Sequence, residues 1–101
     1  MPSFVRIREG QSLVGSMVRL YTFLMPTVLR VGPYRFHFYS DEGNGPPHVH
    51  VATADGEAKF WLDPVRIAAN IRLTSVQVRE IERLVFAHQT LLKEKYNEFH
   101  G

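Results

Sequence analysis

Three runs between Tyr34 and Leu62 alternate apolar and polar residues: YRFHFYS (34–40), HVHVATA (48–54) and EAKFWL (57–62). Side chains of an extended chain point to opposite faces in turn, so a period of two is the mark of a half-buried strand. Tyr34, Phe36 and Phe38, with Val49 and Val51 and with Ala58, Phe60 and Leu62, share one parity and predict one buried sheet face. VLRV (28–31), set off by the Gly32-Pro33 turn, predicts a further strand. DEGNGPP (41–47) is a turn-rich loop, and Ala54-Asp55-Gly56-Glu57 carries an Asp-Gly hairpin signal.

The flanks have a helical period. Leu13, Val14, Met17, Val18, Tyr21 and Leu24 predict a helix with Ser12 as N-cap, ended by Pro26. Asp63-Pro64 pairs an N-capping side chain with a proline suited to the first helical position, predicting a short helix over VRIAAN (65–70). Thr74 and Gln77 form a capping box, with Leu73 placed to staple onto Val78. From there Val78, Ile81, Leu84, Val85, His88, Leu92, Tyr96 and Phe99 trace the apolar stripe of one long helix reaching the C-terminus. The predicted fold is α+β: a small antiparallel four-stranded sheet, one face covered by the long C-terminal helix, plus an N-terminal helix. Residues 1–24 read as an N-terminal extension and residues 25–101 as a single domain.

Composition narrows the function classes. The chain has 101 residues, 45% hydrophobic and 22% charged, enough for one core without cross-links. It has no cysteine, which excludes disulfides and thiolate metal sites and fits a cytoplasmic location. Arg19 interrupts the most apolar stretch, 11–25, so no membrane span or membrane partner is expected. A net charge of +2 is compatible with a nucleic-acid partner without requiring one.

If the apolar parity is buried, alternation gathers Arg35, His37, Tyr39, His48, His50, Glu57, Lys59 and Trp61 on the opposite face, expected to be open to solvent. Antiparallel sheets commonly have such a wet face, so polarity alone says little. The residue types say more, because imidazoles, guanidinium and indole suit phosphates and bases. Three chemistries compete. His48 and His50 can chelate zinc if His37, Asp41, Glu42 or Glu57 completes the set, but H-x-H alone is a weak signal and the first reading takes no cofactor. Metal-independent RNA cleavage needs proton carriers and cations: His48, His50 and Glu57 for the former, Arg35 and Lys59 on phosphate, with His37 beside them and Tyr39 or Trp61 stacking a base. DNA binding requires residues 63–85 to form a helix-turn-helix displaying Arg66, Arg72, Arg79 and Arg83. The need to cover the sheet, and a turn without glycine, weigh against that arrangement. His88 is expected to be a half-buried, hydrogen-bonded core histidine, and His100 to sit in a fraying terminus.

MPTVLRVGPYRFHFYSDEGNGPPHVHV followed by GEAKFWLDPVRIA resembles a bacterial family known as domain of unknown function 4160, from Met25 to about Gly101. Members begin at an MPT sequence, here Met25-Pro26-Thr27, so the first 24 residues depart from the pattern. The resemblance implies a small cognate partner of the domain of unknown function 2442 type and a toxin–antitoxin pair in which this chain is the toxin. Ribonuclease activity is common among such toxins, although the resemblance assigns no catalytic residue. The expectation is therefore a cytoplasmic toxin component acting on RNA. The alternative is a non-enzymatic DNA-binding or partner-binding protein of antitoxin type.

Overall fold

Short turns and one longer loop fold residues 27–71 into one antiparallel meander. The computed structural model describes residues 26–101 apart from 41 and 44. The N-terminal helix expected over 13–24, and the domain boundary at its end, lie outside the described residues. Strands β1 (Thr27–Val31), β2 (Tyr34–His37), β3 (His48–Ala52), β4 (Glu57–Leu62) and β5 (Val65–Ile71) precede helices α1 (Ser75–Ala87) and α2 (Gln89–His100). The strands pair in chain order, each antiparallel to the next. The class is α+β, but the sheet has five strands where four were expected.

The extra strand is the segment expected to be a short helix. Asp63 and Pro64, joined by a cis peptide bond, form a two-residue turn that pairs Leu62 with Val65. The ladder then runs to Glu57 opposite Ile71, with one irregularity between Lys59 and Phe60. Val65, Ile67 and Ile71 are β-branched and suit a strand. A helix of six residues would have satisfied few of its own backbone groups, whereas β4 offers a full row of partners. At the far end of β5, the Asn70 side chain donates to the carbonyl of Leu73 and accepts from its N–H, both at 3.0 Å. That reciprocal pair turns the chain through Arg72, at φ 64°, into α1.

The capping box starts α1 as expected. Gln77 N–H donates to Thr74 Oγ1 at 3.1 Å, and Thr74 N–H donates to Gln77 Oε1 at 2.9 Å. The expected single long helix is broken in two at His88, whose φ of −110° and ψ of 21° lie outside the helical region. Its backbone N–H and its ring Nδ1 both contact the Leu84 carbonyl, at 3.0 and 2.9 Å. A side chain competing for a helical carbonyl is a recognised way to end a helix. His88 is half-buried and hydrogen-bonded, as its place on the stripe suggested.

Despite the break, the stripe stays on one side. Ile81, Val85, Leu92 and Tyr96 are buried against Phe36, Phe38, Val49, Val51, Ala58, Phe60 and Leu62. Each fully buried large apolar side chain contributes about 1.5–3 kcal/mol relative to exposure. α1 packs on β4 and β5, and α2 on β3 and β4. No helix among the described residues is long and apolar enough to cross a membrane.

Candidate functional site

The strands keep the parity read from the sequence, but the second face differs from expectation in its exposure. Across β2, β3 and β4, His37 stands opposite His50, His50 opposite Lys59, and His48 opposite Trp61. Every residue expected on the second face is there. That face is not open at its centre, however: His37, His48 and His50 are only 0%, 3% and 7% exposed. The physical reason is the loop that follows β2. It folds back over the sheet, and Tyr39, Glu42 and Pro46 from it close over the imidazoles. The rings also shield one another. His37 stacks on His50 at 5.6 Å, Tyr39 meets His50 edge-on at 4.3 Å, and His48 lies 5.5 Å from Tyr96 of α2.

Glu57 is the hub on one side of His50. Its Oε2 accepts from the Tyr39 hydroxyl at 2.9 Å and faces His50 Nδ1 at 3.0 Å. Its Oε1 is 3.9 Å from His37 Nε2. Glu42 is the hub on the other side. Its Oε1 lies 2.7 Å from His50 Nε2 and 2.9 Å from His48 Nε2. The second nitrogen of His48 faces the Pro46 carbonyl at 3.1 Å. Glu42 Oε1 and the Nε2 atoms of His48 and His50 thus converge, with a ligand atom from each residue within 4.8 Å of the others.

Glu42 is the site residue that sequence reasoning left without a role beyond one possible metal ligand. Its only signal was position, six residues before His48 in the Gly/Pro-rich loop. Asp41, named with it, lies outside the described residues. The loop is held by α2: the Tyr96 hydroxyl donates to the Glu42 carbonyl at 3.1 Å. His100 is not a frayed end. It is a half-buried helical residue whose ring packs on Tyr96 at 4.4 Å and near Phe38 at 6.1 Å.

Burial and charge tune these groups in different directions. Burial pushes the Glu42 carboxyl up, but hydrogen bonds from His50 and His48 outweigh it and hold the group below its usual range. His37 falls from 6.5 to about 4, chiefly because burial disfavours its charged form and because the Arg35 cation is adjacent. Arg35 Nη1 lies 3.4 Å from His37 Nδ1, and His37 Nε2 is buried with no hydrogen-bond partner among the described residues, 3.9 Å from Glu57 Oε1. Burial and the Glu42 charge raise Tyr96, while burial and His48 lower His100.

At the edge of this cluster, Lys59 lies over the Trp61 ring at 4.8 Å, and both are half-buried. Arg35 and Tyr39 are half-buried as well. The Glu42 and Glu57 side chains, bonded to the buried imidazoles, are themselves 36% and 27% exposed. The cations expected to serve a helix-turn-helix do not form one. Arg66 is on β5, Arg72 in the following turn, and Arg79 and Arg83 on α1, so no two-helix DNA reader exists across residues 63–85.

Comparison with known proteins agrees with the family resemblance and adds no function. No curated protein and no solved structure matches the chain. The family whose description reads "Domain of unknown function (DUF4160)" matches residues 34–97, which span β2 to α2 and the whole cluster built around His48 and His50. The chain belongs to the DUF4160 family.

Proposed function

We propose that this protein is the toxin component of a toxin–antitoxin pair and acts on RNA, with the Glu42, His48, His50 and Glu57 cluster as its catalytic centre. The observation that carries this reading is the clamping of the His50 ring between two carboxylates, at 2.7 and 3.0 Å. Imidazoles held by carboxylates are suited to moving protons near neutral pH. The His50–Glu57 pair takes the proton from a ribose 2′-hydroxyl as that oxygen attacks phosphorus. The His48–Glu42 pair returns a proton to the departing 5′-oxygen, leaving a 2′,3′-cyclic phosphate. Arg35 and Lys59 meet the phosphate, and Trp61 and Tyr39 offer faces to bases. His37, kept neutral, acts through Glu57.

The test is incubation of the purified chain with single-stranded RNA and with DNA of the same sequence. RNA cleavage leaving cyclic phosphate ends, lost in Glu57→Gln and in the His48→Ala, His50→Ala double variant, supports the reading. Equal cleavage of the DNA, or full growth arrest on induction of the double variant, rejects it.

A second reading, partner binding without catalysis, is favoured by one other surface. Phe86 on α1 is 68% exposed and stands beside Val65 at the start of the edge strand β5. Val65, Arg79, Glu82 and Arg83 line the depression beside Phe86. An apolar patch rimmed by charge, next to an unpaired strand edge, suits a small cognate protein. Phe86→Asp abolishing co-purification with the neighbouring gene's product supports this surface, and unchanged co-purification rejects it.

A further inference from the structure

The hydrogen-bond polarity of the cluster poses a problem that protein atoms alone do not solve. His48 Nδ1 faces the Pro46 carbonyl, which only accepts. The ring proton of a neutral His48 therefore belongs on Nδ1, which leaves a lone pair on Nε2 aimed at a carboxylate oxygen 2.9 Å away. His50 repeats the conflict. Both its nitrogens face carboxylates, Nδ1 toward Glu57 and Nε2 toward Glu42. With both rings neutral, His48 aims its Nε2 lone pair at Glu42, and His50 aims a lone pair at either Glu42 or Glu57, whichever its single proton does not reach. Relief comes from a positive charge between them: either a second proton on each of two touching, buried imidazoles, or a single cation.

We infer that Glu42 Oε1, His48 Nε2 and His50 Nε2 form a binding site for one divalent first-row transition metal ion, of the zinc class. The donor set is two imidazole nitrogens and one carboxylate with no thiolate, a set used by catalytic rather than structural zinc sites because it leaves a coordination position open. His48 and His50 are two residues apart on β3, so both project from the same face. Each turns Nε2 inward because Nδ1 is anchored outward, one on a backbone carbonyl and one on Glu57. Anchoring the outer nitrogen to a carbonyl or carboxylate is how metal-binding histidines are oriented and made more basic. The imidazoles are buried, whereas Glu42 is a loop side chain that is 36% exposed. Bonds of about 2.0–2.2 Å in tetrahedral array spread the ligand atoms to about 3.3 Å. Glu42 reaches that spacing by withdrawing about half an ångström, and the two Nε2 atoms, within 4.8 Å of each other, reach it by rotation of the rings.

The inference goes beyond the RNA reading and stands apart from it. At His50 Nε2 the ion and the proton are alternatives, so His50 serves either as ligand or as proton carrier at any moment. An ion in place would move the activation of the attacking oxygen to the open coordination position, with Glu57 left as the nearby proton acceptor.

The experiment uses the full chain without a histidine tag, stripped with EDTA and titrated with zinc chloride by calorimetry, and with cobalt(II) followed by visible absorption. The expected result is one equivalent of zinc per chain and a cobalt band of low-coordination geometry. His48→Ala and His50→Ala remove both signals, and His88→Ala retains both. Glu42→Gln tests the site without touching a buried ring, and its zinc affinity falls by more than about 100-fold, beyond the 10–100-fold loss typical of outer-sphere partners. Zinc binding by Glu42→Gln as tight as by wild type, or no binding by folded wild-type protein, overturns the inference. Zinc binding without RNA cleavage defeats only the ribonuclease reading, and RNA cleavage undiminished in EDTA without zinc binding defeats only the ion site.

Discussion

The Tyr96 hydroxyl donates to the backbone carbonyl of Glu42 across 3.1 Å, tying the last helix to the loop that closes the histidine cluster. The ring that carries this hydroxyl is wedged between Phe38, edge-on at 5.5 Å, and His48 at 5.5 Å. Tyr96→Phe keeps the wedge and removes only the tie. The expected cost in stability is about 1 kcal/mol, the usual worth of one such bond. The expected cost in zinc affinity is about tenfold, at the lower end for an outer-sphere partner. Urea unfolding gives the first quantity and calorimetry the second. Unaltered zinc affinity would mean that α2 does not position Glu42.

Glu57→Gln should separate anchoring from folding at the opposite side of His50. The amide oxygen still accepts from His50 Nδ1 or from Tyr39, so the local hydrogen-bond count can be kept, but the negative charge is gone. Zinc affinity is expected to fall about 10–100-fold while the unfolding midpoint changes little. Tyr39→Phe, which removes one of the two donors to the same oxygen, should weaken zinc far less. A larger effect from Tyr39→Phe than from Glu57→Gln would reverse the assignment of the anchor.

The parts legible in the sequence were those governed by local rules. The alternation of Tyr34 to Tyr39, His48 to Val51 and Glu57 to Leu62 assigned faces correctly, because strand parity depends only on neighbours. The Thr74–Gln77 capping box was likewise local. Residues 63–71 misled because Asp-Pro is both a helix start and a turn, and only the partner strand β4 decides between them. The break at His88 depends on a ring nitrogen competing for the Leu84 carbonyl, a choice that apolar spacing does not encode. The burial of His37, His48 and His50 was invisible for a related reason. It depends on where the loop carrying Glu42 lands, and that is set by Tyr96, 54 residues further on.

Stability at high pH should carry the signature of Tyr34. Its hydroxyl donates to Glu80, and this bond, with burial and the adjacent negative charge, raises its pKa from 10.0 to about 12. A raised folded-state value means that the folded protein holds the proton more tightly than the unfolded chain. The contribution is fully present below pH 10 and is lost as pH rises from 10 toward 12. Thermal unfolding measured across this window should fall more steeply for wild type than for Tyr34→Phe. Parallel curves would show that the Glu80 bond does not persist in solution.

Two glycines make opposite demands, and substitution can tell them apart. A Cβ at Gly56 would lie 2.0 Å from the carbonyl oxygen of Ile71, a backbone atom that cannot step aside without parting β4 from the end of β5. Gly56→Ala is expected to cost about 1–3 kcal/mol, the range for forcing extra volume into a packed site. Gly32, between β1 and β2, has nothing within 4 Å of a Cβ, but its φ is +55°. Its penalty is conformational, about 1–2 kcal/mol for an ordinary side chain. Asparagine tolerates that conformation well, so Gly32→Asn should recover most of what Gly32→Ala loses. At Gly56 the obstacle is space, so Gly56→Asn should be at least as damaging as Gly56→Ala. Urea unfolding of the four variants measures all of these differences. Recovery by asparagine at position 56 would show that the β4–β5 approach is looser than the 2.0 Å separation requires.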